Sequence, residues 1–135
     1  MEQWNKKIHI KGTLPKKINQ YSLFVGRWQP LHIGHKEMFQ RVLDEGGNVC
    51  IAIRNVEELD NKNPFTALQV MDMIMDEYKD LIAHKRVIVM IIPDICSVEF
   101  GRGVGYDIIE HIPPTDVAEI SATKIREQMV LDGKL

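Results

Sequence analysis

Two histidines three residues apart, His32 and His35, close the segment Gly26-Arg27-Trp28-Gln29-Pro30-Leu31-His32-Ile33-Gly34-His35. An apolar run, Tyr21-Ser22-Leu23-Phe24-Val25, comes directly before it, so the segment reads as a strand that turns sharply into a helix. A helix entrance attracts anions, because its first backbone N–H groups lack partners and its dipole is positive there. Histidines held at that entrance are placed to touch phosphate. The same spacing suits a metal, but a metal needs further ligands, and Cys50 and Cys96 lie on apolar runs rather than in a paired motif. A second entrance, Ile120-Ser121-Ala122-Thr123-Lys124-Ile125-Arg126, stands near the end of the chain. Ser121 is a good N-cap. Cations at a helix N-terminus cost about 0.3–1 kcal/mol each, so Lys124 and Arg126 make sense there when an anion lies beside them. Together the two entrances point to a site for a nucleoside triphosphate.

The elements that must position these residues alternate along the chain. Residues 7–11 read as a short edge strand and 21–25 as the first buried strand. The spacing predicts a helix over 35–45, with Met38, Phe39, Val42 and Leu43 as its apolar stripe and Gly46-Gly47 as its stop. A second buried strand follows at 49–53, then a polar stretch at 54–63. The next helix is expected over 64–78, with Leu68, Met71, Ile74 and Met75 buried. Strands are expected at 87–92, 98–100 and 107–112, and a last helix at 121–131. The reading is an α/β chain: a single Rossmann-like domain with a central parallel sheet of about five strands and helices on both faces. Such sheets bind ligands at the carboxyl ends of their strands, where strand order reverses. Residues 1–20 form an N-terminal extension and 21–135 the domain proper. The strand at 7–11 either caps the sheet or pairs with a second subunit in a homodimer.

The 135 residues suffice for one domain. A net charge of −2 argues against a nucleic-acid partner, which wants a basic face. No apolar run approaches membrane-spanning length, and residues 1–7 lack the apolar stretch of a secretory signal. Two distant cysteines make no disulfide framework. The expected setting is the cytoplasm. Gly101-Arg102-Gly103-Val104-Gly105 has the wrong glycine spacing for a dinucleotide fingerprint and reads as a tight loop. His9, His84 and His111 read as surface or satisfied positions.

The two motifs, in this order, resemble the signatures of the nucleotidyltransferase superfamily. The segment from Gly26 to His35, together with Asn63-Pro64-Phe65-Thr66-Ala67, is most similar to archaeal-type nicotinamide mononucleotide adenylyltransferases. Cytidylyltransferases tend to carry Asp where Gln29-Pro30 stand here, and the stretch between Pro93 and His111 is shorter than in the archaeal enzymes. The resemblance implies transfer of a nucleoside monophosphate, AMP favoured over CMP, from a triphosphate to a phosphorylated small molecule, with pyrophosphate released. It implies that His32, His35 and Arg126 are catalytic and that Gly26, Arg27, Gly34, Ser121, Thr123 and Lys124 hold the nucleotide and its phosphates. Arg54 and Asn55, at the end of the second strand, and Arg102 are candidates for the acceptor; Lys62 reads as solvated. Triphosphate chemistry implies Mg²⁺, held by phosphate oxygens and water, with no protein cage identified. Three alternatives remain at this point: a cytidylyltransferase acting on a phospho-alcohol, a silent nucleotide-binding regulatory module, and a fragment of a class I aminoacyl-tRNA synthetase. The charge and the second motif argue against the last.

Overall fold

The computed structural model describes residues 3–12, 16–101, 105–118 and 121–134. In chain order they form β1 (Asn5–Ile10), β2 (Tyr21–Gly26), α1 (Ile33–Asp44), β3 (Asn48–Asn55), α2 (Ala67–Glu77), α3 (Lys79–Ala83), β4 (Val87–Pro93), β5 (Ile108–Ile112), α4 (Thr115–Ala118) and α5 (Ala122–Leu131).

Three apolar runs become a parallel sheet in the order β2-β3-β4. β3, the most buried of the three, lies in the middle, where both neighbours hydrogen-bond to it. Phe24, Ile51 and Val89 align across the sheet, and so do Val49 with Val87 and Ile53 with Ile91. That face packs against Phe39 and Leu43 of α1 and Ala67, Val70 and Ile74 of α2. Both helices cover the same face because the crossovers β2-α1-β3 and β3-α2-β4 step in one direction and share one handedness. The opposite face carries Leu23, Cys50 and Ile88 in one row and Val25, Ala52 and Met90 in the next. Leu23 is 60% exposed there and Met90 41%.

This corrects the expected sheet. The parallel sheet among the described residues has three strands, not five, and α1 and α2 share one face rather than flanking both. β5 pairs antiparallel with β1, Asn5 opposite Ile112, as a separate two-stranded sheet with an irregularity between Ile8 and Ile10. The physical reason lies in their sequences. β1 carries Lys6, Lys7 and His9 and is mostly exposed, which suits a two-stranded antiparallel ribbon better than a place in the parallel sheet. One edge of the N-terminal strand is therefore used within the chain. β5 still lies near β2, with the His111 and Phe24 rings 5.6 Å apart. The expected reversal of strand order is absent from the three-stranded sheet, whose order β2-β3-β4 follows the chain.

Other boundaries moved. The expected strand at 98–100 is irregular. The helix expected over 64–78 starts at Ala67, because Thr66 caps it in a box with Gln69: Gln69 N donates to Thr66 Oγ1 (3.1 Å) and Thr66 N to Gln69 Oε1 (2.8 Å). Its buried stripe is Ala67, Val70 and Ile74; Leu68 and Met75, expected inside, are exposed. Sequence reading did not anticipate α3 or α4. The three remaining histidines have partners: His9 meets Glu110 at 3.0 Å, His84 donates to the Asp80 carbonyl at 2.7 Å, and His111 accepts from Arg41. Both cysteines are free, and no helix among the described residues is long and apolar enough to cross a membrane.

Candidate active site

The two motif histidines build the start of α1. His32 is the N-cap, and its Nδ1 accepts from Gly34 N at 3.1 Å. His35, at the third helical position, reaches back so that its Nδ1 accepts from His32 N at 3.2 Å. The result is a capping box made of imidazoles instead of the usual hydroxyl and carboxamide. The rings stack with centroids 3.6 Å apart, and His35 meets the edge of Trp28 at 4.8 Å. A neutral imidazole that accepts at Nδ1 carries its proton on Nε2. Each ring therefore offers one Nε2–H donor, and the caps fix both tautomers.

Burial, and then the charge of neighbouring His32, pull His35 down to about 3; burial also lowers His32. The pair is neutral at pH 7. The sign of the linkage follows. Between about 3 and the ordinary value of 6.5 the unfolded chain binds a proton at His35 that the folded chain does not, so stability rises with pH across that window. His35's contribution is complete above 6.5 and is lost on acidification toward 3. Wild-type protein is expected to show a falling urea midpoint from pH 7 to pH 4. His35→Gln, which keeps an acceptor at the third helical position but does not titrate, is expected to fall less. Parallel curves for the two proteins would contradict this.

Before the helix, Trp28 adopts the left-handed region with φ 53°. Its ring is buried, and Nε1 donates to the Ala52 carbonyl at 3.1 Å. Gly26 is needed for that ring: a Cβ there would come within 2.8 Å of it. Gly34 is similarly confined, since a Cβ would lie 3.0 Å from the His32 ring and 3.5 Å from Val117. Both glycines thus answer to protein side chains in this structure. Arg27 is exposed, and its charge is among the minor causes holding the Asp60 carboxyl below the usual range; backbone N–H bonds from Asn63 and Lys62 are the main ones.

The second entrance meets the first. Ser121 caps α5, accepting from Lys124 N at 3.1 Å. Arg126 points inward and is only 8% exposed. Its Nη1 donates to the Gln29 carbonyl at 2.6 Å, across 97 positions of sequence, and its Nη2 donates to Thr123 Oγ1 at 3.2 Å. The guanidinium thereby fastens α5 to the loop before the histidines. This carbonyl gives the cation a partner within the chain. Lys124 is exposed and available to an outside anion.

Two residues that sequence reading left out join these parts. Trp28 is one; Gln29, 5% exposed, is the other. Gln29 Nε2 donates to the Phe65 carbonyl (2.9 Å), and Phe65 N donates to Gln29 Oε1 (3.0 Å), which ties the entrance of α2 to the motif loop. The signal available was a carboxamide inside an otherwise aromatic and proline-containing turn.

The acceptor candidates fare differently. Arg54 is gripped by Asp94 through Nε (2.9 Å) and Nη2 (2.7 Å). Asn55 lines an open cleft of about 900 Å³ over the carboxyl ends of β3 and β4, beside Glu57, Glu58, Asp60 and Asp94. That rim is acidic and does not by itself invite a phosphate. Lys62 is exposed, with its backbone N on Asp60. Arg102 lies outside the described residues. No cluster of three or more His, Cys, Asp or Glu suited to a metal occurs among the described residues.

Residues 23–75 match the family model described as cytidylyltransferase-like. The chain is similar to the nicotinamide-nucleotide adenylyltransferase of Archaeoglobus fulgidus, 37% identical over 101 residues, which cover 71% of this chain and 56% of that protein. The enzyme of the same name from Thermococcus onnurineus is 34% identical over 144 residues, covering 87% and 74%. That from Thermococcus kodakarensis is 35% identical, covering 70% and 50%. The chain thus spans about half the length of two of these three relatives.

Proposed function

We propose that this chain, which belongs to the nucleotidyltransferase superfamily, transfers an adenylyl group from ATP to a phosphorylated small molecule and releases pyrophosphate. The observation that carries this reading is the meeting of the two entrances. Arg126 on α5 holds the Gln29 carbonyl, a few residues from a stacked histidine pair whose Nε2–H groups are both donors. The relatives are named nicotinamide-nucleotide adenylyltransferases, which makes nicotinamide mononucleotide the first acceptor to test.

In this reaction an acceptor phosphate oxygen forms a bond to the α-phosphorus while the bond from that phosphorus to the bridging oxygen of pyrophosphate breaks. The attacking group is already an anion, so no strong base is required. What remains is alignment and stabilisation of charge on the phosphoryl oxygens. Neutral histidines suit this work: each donates a hydrogen bond at Nε2 without first losing or gaining a proton. Ser121, Thr123 and Lys124 at the α5 entrance and Arg27 at the end of β2 are placed here on the polyphosphate. Mg²⁺ bound with the nucleotide would neutralise phosphate charge and would be held by phosphate oxygens and water.

The test is pyrophosphate release with ATP and CTP against a panel of phosphorylated acceptors headed by nicotinamide mononucleotide. Release with ATP supports the reading. Release with CTP alone replaces AMP by CMP. Binding of ATP with no release from any pair favours a regulatory module.

A further inference from the structure

We propose that Gln29 is a positioning residue for the transfer, and that it works by fastening three segments of chain to one another. The proposal rests on the reading that the histidine pair handles a triphosphate. Gln29 is almost fully buried, yet it is polar and lies in the turn between strand and helix. Its side-chain amide uses one donor and its oxygen on a single residue, Phe65, in the two-bond pattern one strand uses with another. Its backbone carbonyl receives Arg126. One residue therefore joins the motif loop, the approach to α2 and the start of α5.

The geometry explains why a carboxamide is needed. Phe65 presents an N–H and a C=O to the side chain, so the partner must accept one bond and donate another. A carboxylate supplies only acceptors, and a shorter side chain reaches neither group. Thr66, next to Phe65, opens α2 with its own capping box, so the clamp holds the approach to that helix. The segment before Phe65 is also folded tightly, Asp60 Oδ1 accepting from Lys62 N at 2.8 Å and Asn63 N at 2.7 Å. Phe65 is where this compact turn is tied to the strand end. Loosening it would let the histidine entrance, the α5 entrance and the 57–66 loop shift relative to one another. Displacements of about 1 Å cost around 100-fold in rate when reacting groups must be aligned.

The experiment compares wild type, Gln29→Glu and Gln29→Ala. Gln29→Glu is isosteric; it keeps the acceptor for Phe65 N and loses the donor for Phe65 O. Hydrogen exchange at the Phe65 amide reads the clamp directly, and steady-state kinetics with ATP and the best acceptor read the consequence. The expected result is a Phe65 amide that exchanges at least tenfold faster in Gln29→Ala and remains protected in Gln29→Glu. In both variants kcat falls at least tenfold, while KM for ATP changes less than threefold and the far-ultraviolet spectrum is retained. A purely structural role would lower the melting temperature and leave kcat per folded molecule unchanged, and that outcome overturns the proposal. So does a loss carried entirely by KM, or a Phe65 amide indifferent to Gln29→Ala. A wild-type protein that releases no pyrophosphate from any pair sinks the transfer reading itself, and this proposal with it. An active wild type with unaffected variants sinks this proposal alone.

Discussion

Turnover by His35→Ala should fall by about 10²–10³-fold, the range seen when one preorganised donor to a reacting oxyanion is removed. The substitution deletes the Nε2–H donor. It also deletes the acceptor that satisfies His32 N at 3.2 Å and the ring that stacks on His32 at 3.6 Å. His32 then keeps its bond from Gly34 N but loses the stacked ring that confines it, so both donors suffer from one change. The cap loss alone should lower stability by about 1 kcal/mol. His35→Gln separates the two effects, because glutamine at the third helical position accepts the same backbone bond. Its stability should stay near wild type while its turnover remains low. Pyrophosphate release measured beside urea melts decides the matter. Wild-type turnover in His35→Ala would remove this residue from the chemistry.

The second large effect is expected at Arg126. Alanine there leaves the Gln29 carbonyl without its donor and opens a hole beside Thr123. An unsatisfied buried carbonyl costs about 1–3 kcal/mol, which should appear as a lower urea midpoint. ATP affinity should weaken at least tenfold, because the α5 entrance is no longer anchored opposite the histidines. Lysine at the same position keeps a charge but has no planar fork with which to reach carbonyl and hydroxyl together, so Arg126→Lys should fall between. Calorimetric titration with ATP checks the binding arm. Lost stability with intact ATP affinity would make Arg126 a tie between segments and nothing more.

Much of this arrangement was legible in sequence where the signal is local. Tyr21 to Val25 reads as a strand because it is a short apolar run before a glycine. Phe39 and Leu43 read as buried because they fall at helical spacing, and both are. Ser121 reads as a cap from its type and place, and it is one. The misses are long-range. Arg126 reads as a cation beside an anion, and the carbonyl 97 positions away to which it donates is announced by no local pattern. Arg54 reads as a candidate for the acceptor, and no local pattern announces that Asp94, just after β4, pairs with it. The two-stranded ribbon of β1 and β5 joins residues about a hundred positions apart. Leu68 and Met75 fit the helical period but fall on the outer side, because the face turned inward is centred on Ala67, Val70 and Ile74.

The exposed side chains of Leu23, Ile88 and Met90, from two neighbouring rows, look away from α1 and α2. The protein's stickiness and its firmness are consequently governed by different flanks of the same three strands. Polar replacements at these positions can be chosen to improve handling in concentrated solution, and the interior built around Phe39, Ile51 and Ile74 would not register the change.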